Sequence, residues 1–350
     1  MSKNAPTLSA SRPACVGGLY EVCIGVPDLA AGLAHYESFG CRAGRFGALG
    51  ARESKALYGV DSALRSLRLH HQDADHGLVR LMQWERPVND GLGVDASLRC
   101  IGSRWGVRLT SSVFNIANHA QRARESGAAV NVIDPILAVI GEVSGDHAPR
   151  PFADPLVGVR EMVVIQPLYR QVFFERFGYE SPLYGRINPH CLLQTSQHTH
   201  AGMMFVSDDH QLLRFYDEIL GLKRWFDAER PYTQATGSRQ IFGLEDGETH
   251  WMVDFDDPRS GQSLAERRSG KLKIVRFGSR SLLPDKRDRS RPGCLGNSLY
   301  TWRVNDADGM WKRVQGSGAT SITDVLPDEF GTRAFSFVAP DGYFWTLTQA

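Results

Sequence analysis

No apolar run in the sequence approaches the ~20 residues that a membrane-spanning helix needs, so no transmembrane segment is expected. Cysteine is sparse and unpatterned: Cys15, Cys23, Cys41, Cys100, Cys191 and Cys294 include no C-x-x-C spacing. Cys23 sits in an apolar strand pattern, where a free thiol behaves as a small hydrophobe. That usage suits reduced thiols in a cytoplasm better than a disulfide framework. Charge of either sign is not in excess. A formal net charge of +1 argues against a general nucleic-acid binder, whose domains carry a basic surplus. G-x-G-x-x-G, P-loop, H-E-x-x-H and G-x-S-x-G motifs are missing too, and no side chain stands out as an activated nucleophile. Residues 1–16 are polar, rich in Ala, Ser and Pro, and lack an apolar signal core; they read as a disordered arm.

What is there is a repeat. With 350 residues, 42% of them hydrophobic, the chain is long enough for two substantial cores. The stretch from His200 to Phe226 reads as an apolar strand, a turn at Ser207-Asp208-Asp209 and an amphipathic helix carrying Leu212, Leu213, Phe215, Tyr216, Ile219 and Leu220. Asp208 or Asp209 would cap that helix, and Gly221 would end it in the left-handed conformation. The same phrase runs from Tyr20 to Phe46, again after ILE/VAL-rich strand residues and a VPD turn. Val26, Ile116 and Val206 mark three copies at 90-residue spacing, and Val304 marks a fourth, 98 residues on. Copies two and four share the helix endings Ser126-Gly127-Ala128 and Ser317-Gly318-Ala319, so the array alternates odd and even.

In order, the first module covers about residues 17–88, with strands expected at Cys41–Phe46, Ser66–His70 and Leu78–Trp84. Residues 88–106 read as a linker, and the second module runs from about 107 to 168. Residues 169–196 read as a bridge. The third module is expected to place strands at Leu222–Phe226, Ser238–Phe242 and Trp251–Phe255. A basic insert at 256–294 follows, with 11 Lys/Arg against 5 Asp/Glu, part of it (Lys271–Phe277) alternating like an edge strand. The fourth module closes the chain with a hairpin turning at Asp341-Gly342.

Strand, helix and three strands, with a VPD or VSD turn before the helix, resemble the vicinal oxygen chelate superfamily: glyoxalase I, bleomycin-resistance proteins and extradiol dioxygenases. The resemblance covers nearly the whole chain from residue 17. It implies an α+β fold of four βαβββ modules, paired as 17–168 and 197–350 into two cupped mixed sheets with helices on the outer face. It also implies a small apolar or aromatic ligand, no nucleic-acid or membrane partner, and room for a homodimer. The cofactor stays open between a divalent ion (iron, manganese or zinc) and none.

Family ligands stand on the first and last strands of each module. Counted five residues before each anchor, the first-strand corners are Glu21, Ser111, Ala201 and Leu299. The last-strand corners are Arg80, Glu161, a residue near Trp251, and Thr346. Leu299 and Thr346 imply that the C-terminal cup lacks a His-His-Glu iron site. His200 lies one position off and is expected to face away from the cup unless a bulge intervenes; His250 shares the ambiguity. Glu21 and Glu161 are therefore expected to meet across the first cup, as acid and base or as metal ligands, with Arg80 as a third catalytic group. The competing expectation is an inert buried network neutralised by Arg80. Trp84, Trp251 and Trp345 are candidates to line the ligand cavity. The function implied is a lyase, isomerase or ring-cleaving oxygenase; the alternative is a metal-free binding protein of the bleomycin-resistance kind.

Overall fold

A computed structural model describes residues 16–142, 150, 152–206, 209–230, 236–277 and 283–349; residues 1–15 of the expected N-terminal arm and Asp208 lie outside them, while Val16, the last residue of that arm, opens the first strand. Module one supplies β1 (Val16–Gly25), α1 (Leu29–Glu37), β2 (Cys41–Leu49), α2 (Ala51–Tyr58), β3 (Leu64–His71) and β4 (Leu78–Trp84). Module two supplies β5 (Arg104–Thr110), α3 (Val113–Glu125), β6 (Asn131–Glu142), β7 (Leu156–Ile165) and β8 (Arg170–Phe177). Module three has β9 (Thr195–Val206), β10 (Lys223–Arg230), α4 (Thr236–Ile241), β11 (His250–Asp256) and β12 (Lys271–Phe277). Module four has β13 (Gly296–Val304), α5 (Ala307–Gln315), β14 (Leu326–Pro327), β15 (Arg333–Val338) and β16 (Phe344–Thr348).

Each first strand ends in a polar residue that satisfies free N–H groups of the helical segment behind it. Asp28 accepts from the Ala30 and Ala31 N–H groups, Ser112 from Asn115, Asp209 from Gln211 and Asp306 from Gly309. In module three the expected continuous helix is a 3-10 turn (His210–Leu213) followed by a π-helical turn (Phe215–Ile219). The widened turn, closed by Leu220 N–H on the Phe215 carbonyl, buries the adjacent rings Phe215 and Tyr216 together. Gly221 does take a positive φ of 79° after it.

The strands form two eight-stranded mixed sheets. One runs β14-β15-β16-β13-β1-β4-β3-β2, the other β10-β11-β12-β9-β5-β8-β7-β6. Module one thus pairs with module four and module two with module three, which corrects the expected division into 17–168 and 197–350. A repeat period reports that modules are alike and carries no information about which of them pair. The nesting is held by the linkers: Val88 N–H bonds Gly293, Leu295 N–H bonds Asn89, and Ile101 exchanges bonds with Pro284 and Lys286.

Two further expectations are corrected. Residues 170–177 and 271–277 are the last strands of modules two and three, not a bridge and an insert; β12 lies inside its sheet, between β11 and β9. Ser238–Phe242 is not a strand but largely α4, whose winding turns Ile241 and Phe242, with Leu244 beyond them, onto a single apolar cluster with Trp105, Val107, Met204 and Val275.

The main core joins the convex faces of both sheets. Val22, Ile24, Tyr300, Trp302 and Trp345 of one meet Ala201, Met203, Phe255 and Ile274 of the other, with Tyr36, Ile116 and Met310 of α1, α3 and α5. The concave faces are what remain for chemistry. Five free cysteines lie among the described residues, and no helix there is long and apolar enough to cross a membrane.

Candidate functional site

Strand alternation decides which side chains enter a cup. Residues an odd number of positions before each cap face inward: Glu21 and Cys23 before Asp28, Trp105 and Val107 before Ser112, His200 and Gly202 before Asp209, Leu299 and Thr301 before Asp306. Their cross-strand pairings agree, Glu21 with Thr301 and Trp105 with Gly202. Ser111 falls beyond the end of β5, and Ala201 points into the convex core, so neither is a cup corner. His200, expected to face away, faces in. A bulge in β9 opposite Val107 and Arg108 sets His198 and His200 on opposite faces.

The first cup is full. Leu57 and Tyr58 of α2 pack on Cys23, Leu64, Met82, Trp84 and Leu299, and the turn Asp328-Glu329-Phe330 closes the rest. Glu21 lies at the centre with no exposed surface. Its carboxylate accepts from Arg80, from Arg68 Nε at 2.6 Å and from the Thr301 hydroxyl at 2.7 Å. Arg80 also donates to Tyr58 Oη at 3.0 Å and to Glu329 Oε1 at 3.2 Å, and Tyr58 donates to Glu329 Oε2 at 2.8 Å. Phe330 lies under both guanidiniums, 4.1 Å from Arg68 and 5.1 Å from Arg80. Burial pushes the Glu21 carboxyl up, but Arg80 and Arg68 outweigh it and hold it at about 2. Thr346 is spoken for by Ser336, 2.8 Å away. Of the two expectations for Glu21, the neutralised buried network describes this cup.

Glu161 is not there. It stands on β7, in the other sheet, so the expected meeting with Glu21 and Arg80 does not occur. It lines a cavity of about 590 Å³ in the second cup, whose other half is filled by α4. Phe174, Tyr179, Tyr184, Trp225 and Phe226 supply aromatic wall; Arg176, Lys271, Lys273 and Arg230 supply charge. Asp254 is held by Lys271 at 2.9 Å, and Lys273 lies 4.0 Å from it. Glu161 has no hydrogen bond or ion pair among the described residues; burial pushes its carboxyl up, and Lys273 opposes that only in part. His200 bonds Tyr184 Oη and Thr199 Oγ1 through Nδ1, both at 3.2 Å, leaving Nε2 buried without a partner. Burial, with Lys273, Lys271 and Arg176 nearby, holds the imidazole well below its ordinary range and therefore neutral near pH 7.

The tryptophans expected as ligand walls are elsewhere. Trp84 packs on Tyr58 in the filled cup, Trp345 lies between Tyr216 and Trp302 in the main core, and Trp251 meets His210 edge to face and packs against that same core. His250 is enclosed between Phe242 and Phe277, away from the cavity. Sequence reasoning missed Arg176, which falls in the expected bridge, and Lys271 and Lys273, which fall on the expected edge strand of a basic insert and not at a cup corner.

A divalent ion does not fit these donors. Among the described residues no three His, Cys, Asp or Glu side chains converge. The expected candidates Glu21, Glu161, His200 and His250 are dispersed, and the two that share the open cup, Glu161 and His200, stand among Arg176, Lys271 and Lys273, which would repel a cation.

No protein-family model matches the sequence, and no curated protein matches it either. Solved structures do. Glyoxalase I from Zea mays superposes at a TM-score of 0.52 with 14% identity, over 96% of this chain and 93% of that one. A Bacillus subtilis protein provisionally named a dioxygenase superposes at 0.51 with 13% identity, over 96% and 86%. The chain has the fold of the vicinal oxygen chelate superfamily. At such identities the likeness defines the fold; the activity has to be argued from the cup.

Proposed function

We propose that this protein is an enzyme that binds a small aromatic or otherwise apolar molecule in its second cup and catalyses proton transfer through Glu161, as a lyase or isomerase does. The observation that carries the reading is a carboxyl group unpaired in a partly enclosed, aromatic-walled cavity, with its affinity for protons raised by burial. Such a group gives and takes protons nearer neutral pH than an exposed glutamate. Asp254 cannot take the role, because Lys271 holds it as a carboxylate. No step is routed through a metal, since the donors present do not suit one.

The test is deuterium exchange in D2O, followed by proton NMR, on phenylacetone, phenylacetaldehyde and phenylpyruvate, each carrying an acidic C–H beside a carbonyl. The protein is expected to accelerate exchange in at least one, and Glu161→Gln to lose about 100-fold or more of that acceleration. Equal exchange by wild type and variant, or none by wild type, would overturn the proposal. The second reading, a ligand-sequestering protein, rests on the same aromatic-walled cavity and predicts retention of an aromatic ligand with no exchange.

A further inference from the structure

The charges of the second cup do not balance, and the surplus says what the ligand carries. Five cationic side chains line the cavity (Arg176, Arg230, Arg267, Lys271 and Lys273) against Glu161 and Asp254. Some are committed. Lys271 bonds Asp254 and lies 3.8 Å from Asp256; Arg267 reaches Asp256 at 3.8 Å and stacks on Trp225 with 3.3 Å from guanidinium to ring centre. Arg176 and Lys273 are not. Among the described residues Arg176 has no carboxylate within ion-pair distance, its buried Nε has no partner, and it rests on the rings of Tyr184 and Tyr179 at 4.5 and 5.3 Å. Lys273 has only Asp254, at 4.0 Å, which Lys271 already holds. Cations left without a counter-charge in such a site cost free energy that a bound anion returns.

The Tyr184 hydroxyl lies against His200 Nδ1, as does that of Thr199, and burial keeps the phenol protonated. His200 Nε2 is buried within the wall, so the ring supports Tyr184 beneath Arg176 and offers no open face to a ligand. Two cations therefore face a cup otherwise walled by Phe174, Trp225 and Phe226.

We infer that the ligand is an aromatic carboxylate, its carboxylate held by Arg176 and Lys273 and its ring against Phe174, Trp225 and Phe226. A monoanion fits better than a phosphate dianion, which would stand against Asp254 and Glu161 in the same cavity. The inference rests on the proposed site and narrows its substrate class.

Calorimetric titration of the full-length protein with benzoate, 1-naphthoate and 9-anthroate, each beside its neutral primary amide, tests it. At least one acid is expected to bind about tenfold or more tightly than its amide. K273Q and R176Q should each weaken the acid by about tenfold while leaving the amide unchanged, with folding checked by circular dichroism. The comparison on wild-type protein needs no variant, so it stands even where a variant fails to fold. An amide that binds as tightly as its acid would overturn the carboxylate grip and leave the cup as a ligand site. No binding by any acid or amide would overturn the proposed site, and this inference with it.

Discussion

The two cups are built from the same phrase, yet one is closed around its charges and the other is open around them. In each, a helix that follows the second strand of an odd-numbered module enters the concavity: α2 in the first, α4 in the second. What separates them is the remaining half. In the first cup the turn Asp328–Phe330 brings in Glu329 and Phe330, so Glu21, Arg80, Arg68, Tyr58 and Glu329 are ion-paired and hydrogen-bonded to one another, although Arg80 Nε and Arg68 Nη2 stay without partners. In the second, Glu161, Arg176 and Lys273 face a cavity; among the described residues Glu161 and Arg176 have no ion pair, and Lys273 has only Asp254 at 4.0 Å. Buried charges that pair with one another contribute to folding; those that face a cavity are the ones free to meet a ligand.

The largest effect should come from breaking the closed cup. Arg80→Leu leaves Glu21 and Glu329 short of their main cation and is expected to cost about 3–5 kcal/mol in a guanidinium melt. Affinity for an aromatic acid in the second cup should survive in whatever fraction stays folded. A cost below about 1 kcal/mol would mean that the network is not what holds this cup.

Acid should dissect the same cup. The Glu21 carboxyl is lowered from 4.5 to about 2 on folding, which links to about 3 kcal/mol of stability. Because the folded value is depressed, that stability is present above about pH 4.5 and lost as pH falls toward about 2. Denaturation midpoints between pH 7 and pH 2.5 should show this loss in wild type and much less of it in Glu21→Gln. Parallel curves for the two proteins would contradict it.

The smallest effect sharpens the contrast. Glu161 has its proton affinity raised, so its contribution has the opposite sign: present below the ordinary carboxylate range and lost as pH rises through the folded value. Glu161→Gln should therefore leave stability at pH 7 unchanged or slightly higher, by no more than about 1 kcal/mol, on the same melt. A marked loss would give Glu161 a structural partner that the described residues do not supply.

Much of the architecture was legible. The anchors Val26, Ile116, Val206 and Val304 gave four modules, and of the two caps named for the third helix, Asp209 takes the role. Arg80 was placed correctly on the last strand of its module. Partner choice was not legible, since β1 meets β13 through contacts 280 residues apart in the chain, such as Thr301 with Glu21. The site was half legible: Glu161 and His200 were named, but in the wrong company. Counting from Val206 instead of from the cap Asp209 put Ala201 in the cup and His200 outside it. Arg170–Phe177 falls in a stretch, 169–196, whose aromatic and turn residues read as a bridge, and Lys271–Phe277, read as an edge strand in a basic insert, lies inside its sheet. Buried Arg and Lys are rare unless something else neutralises them. That rarity is the feature the cup exploits.

The most direct test of the central claim, that the second cup is the working one, is a crystal structure of the protein soaked with 1-naphthoate. The account expects one ligand in the second cup, its carboxylate within hydrogen-bond reach of Arg176 and Lys273, its rings against Phe174 and Trp225, and Glu161 facing it. Ligand density in the first cup beside Glu21, or on the outer surface with the second cup empty, would contradict it.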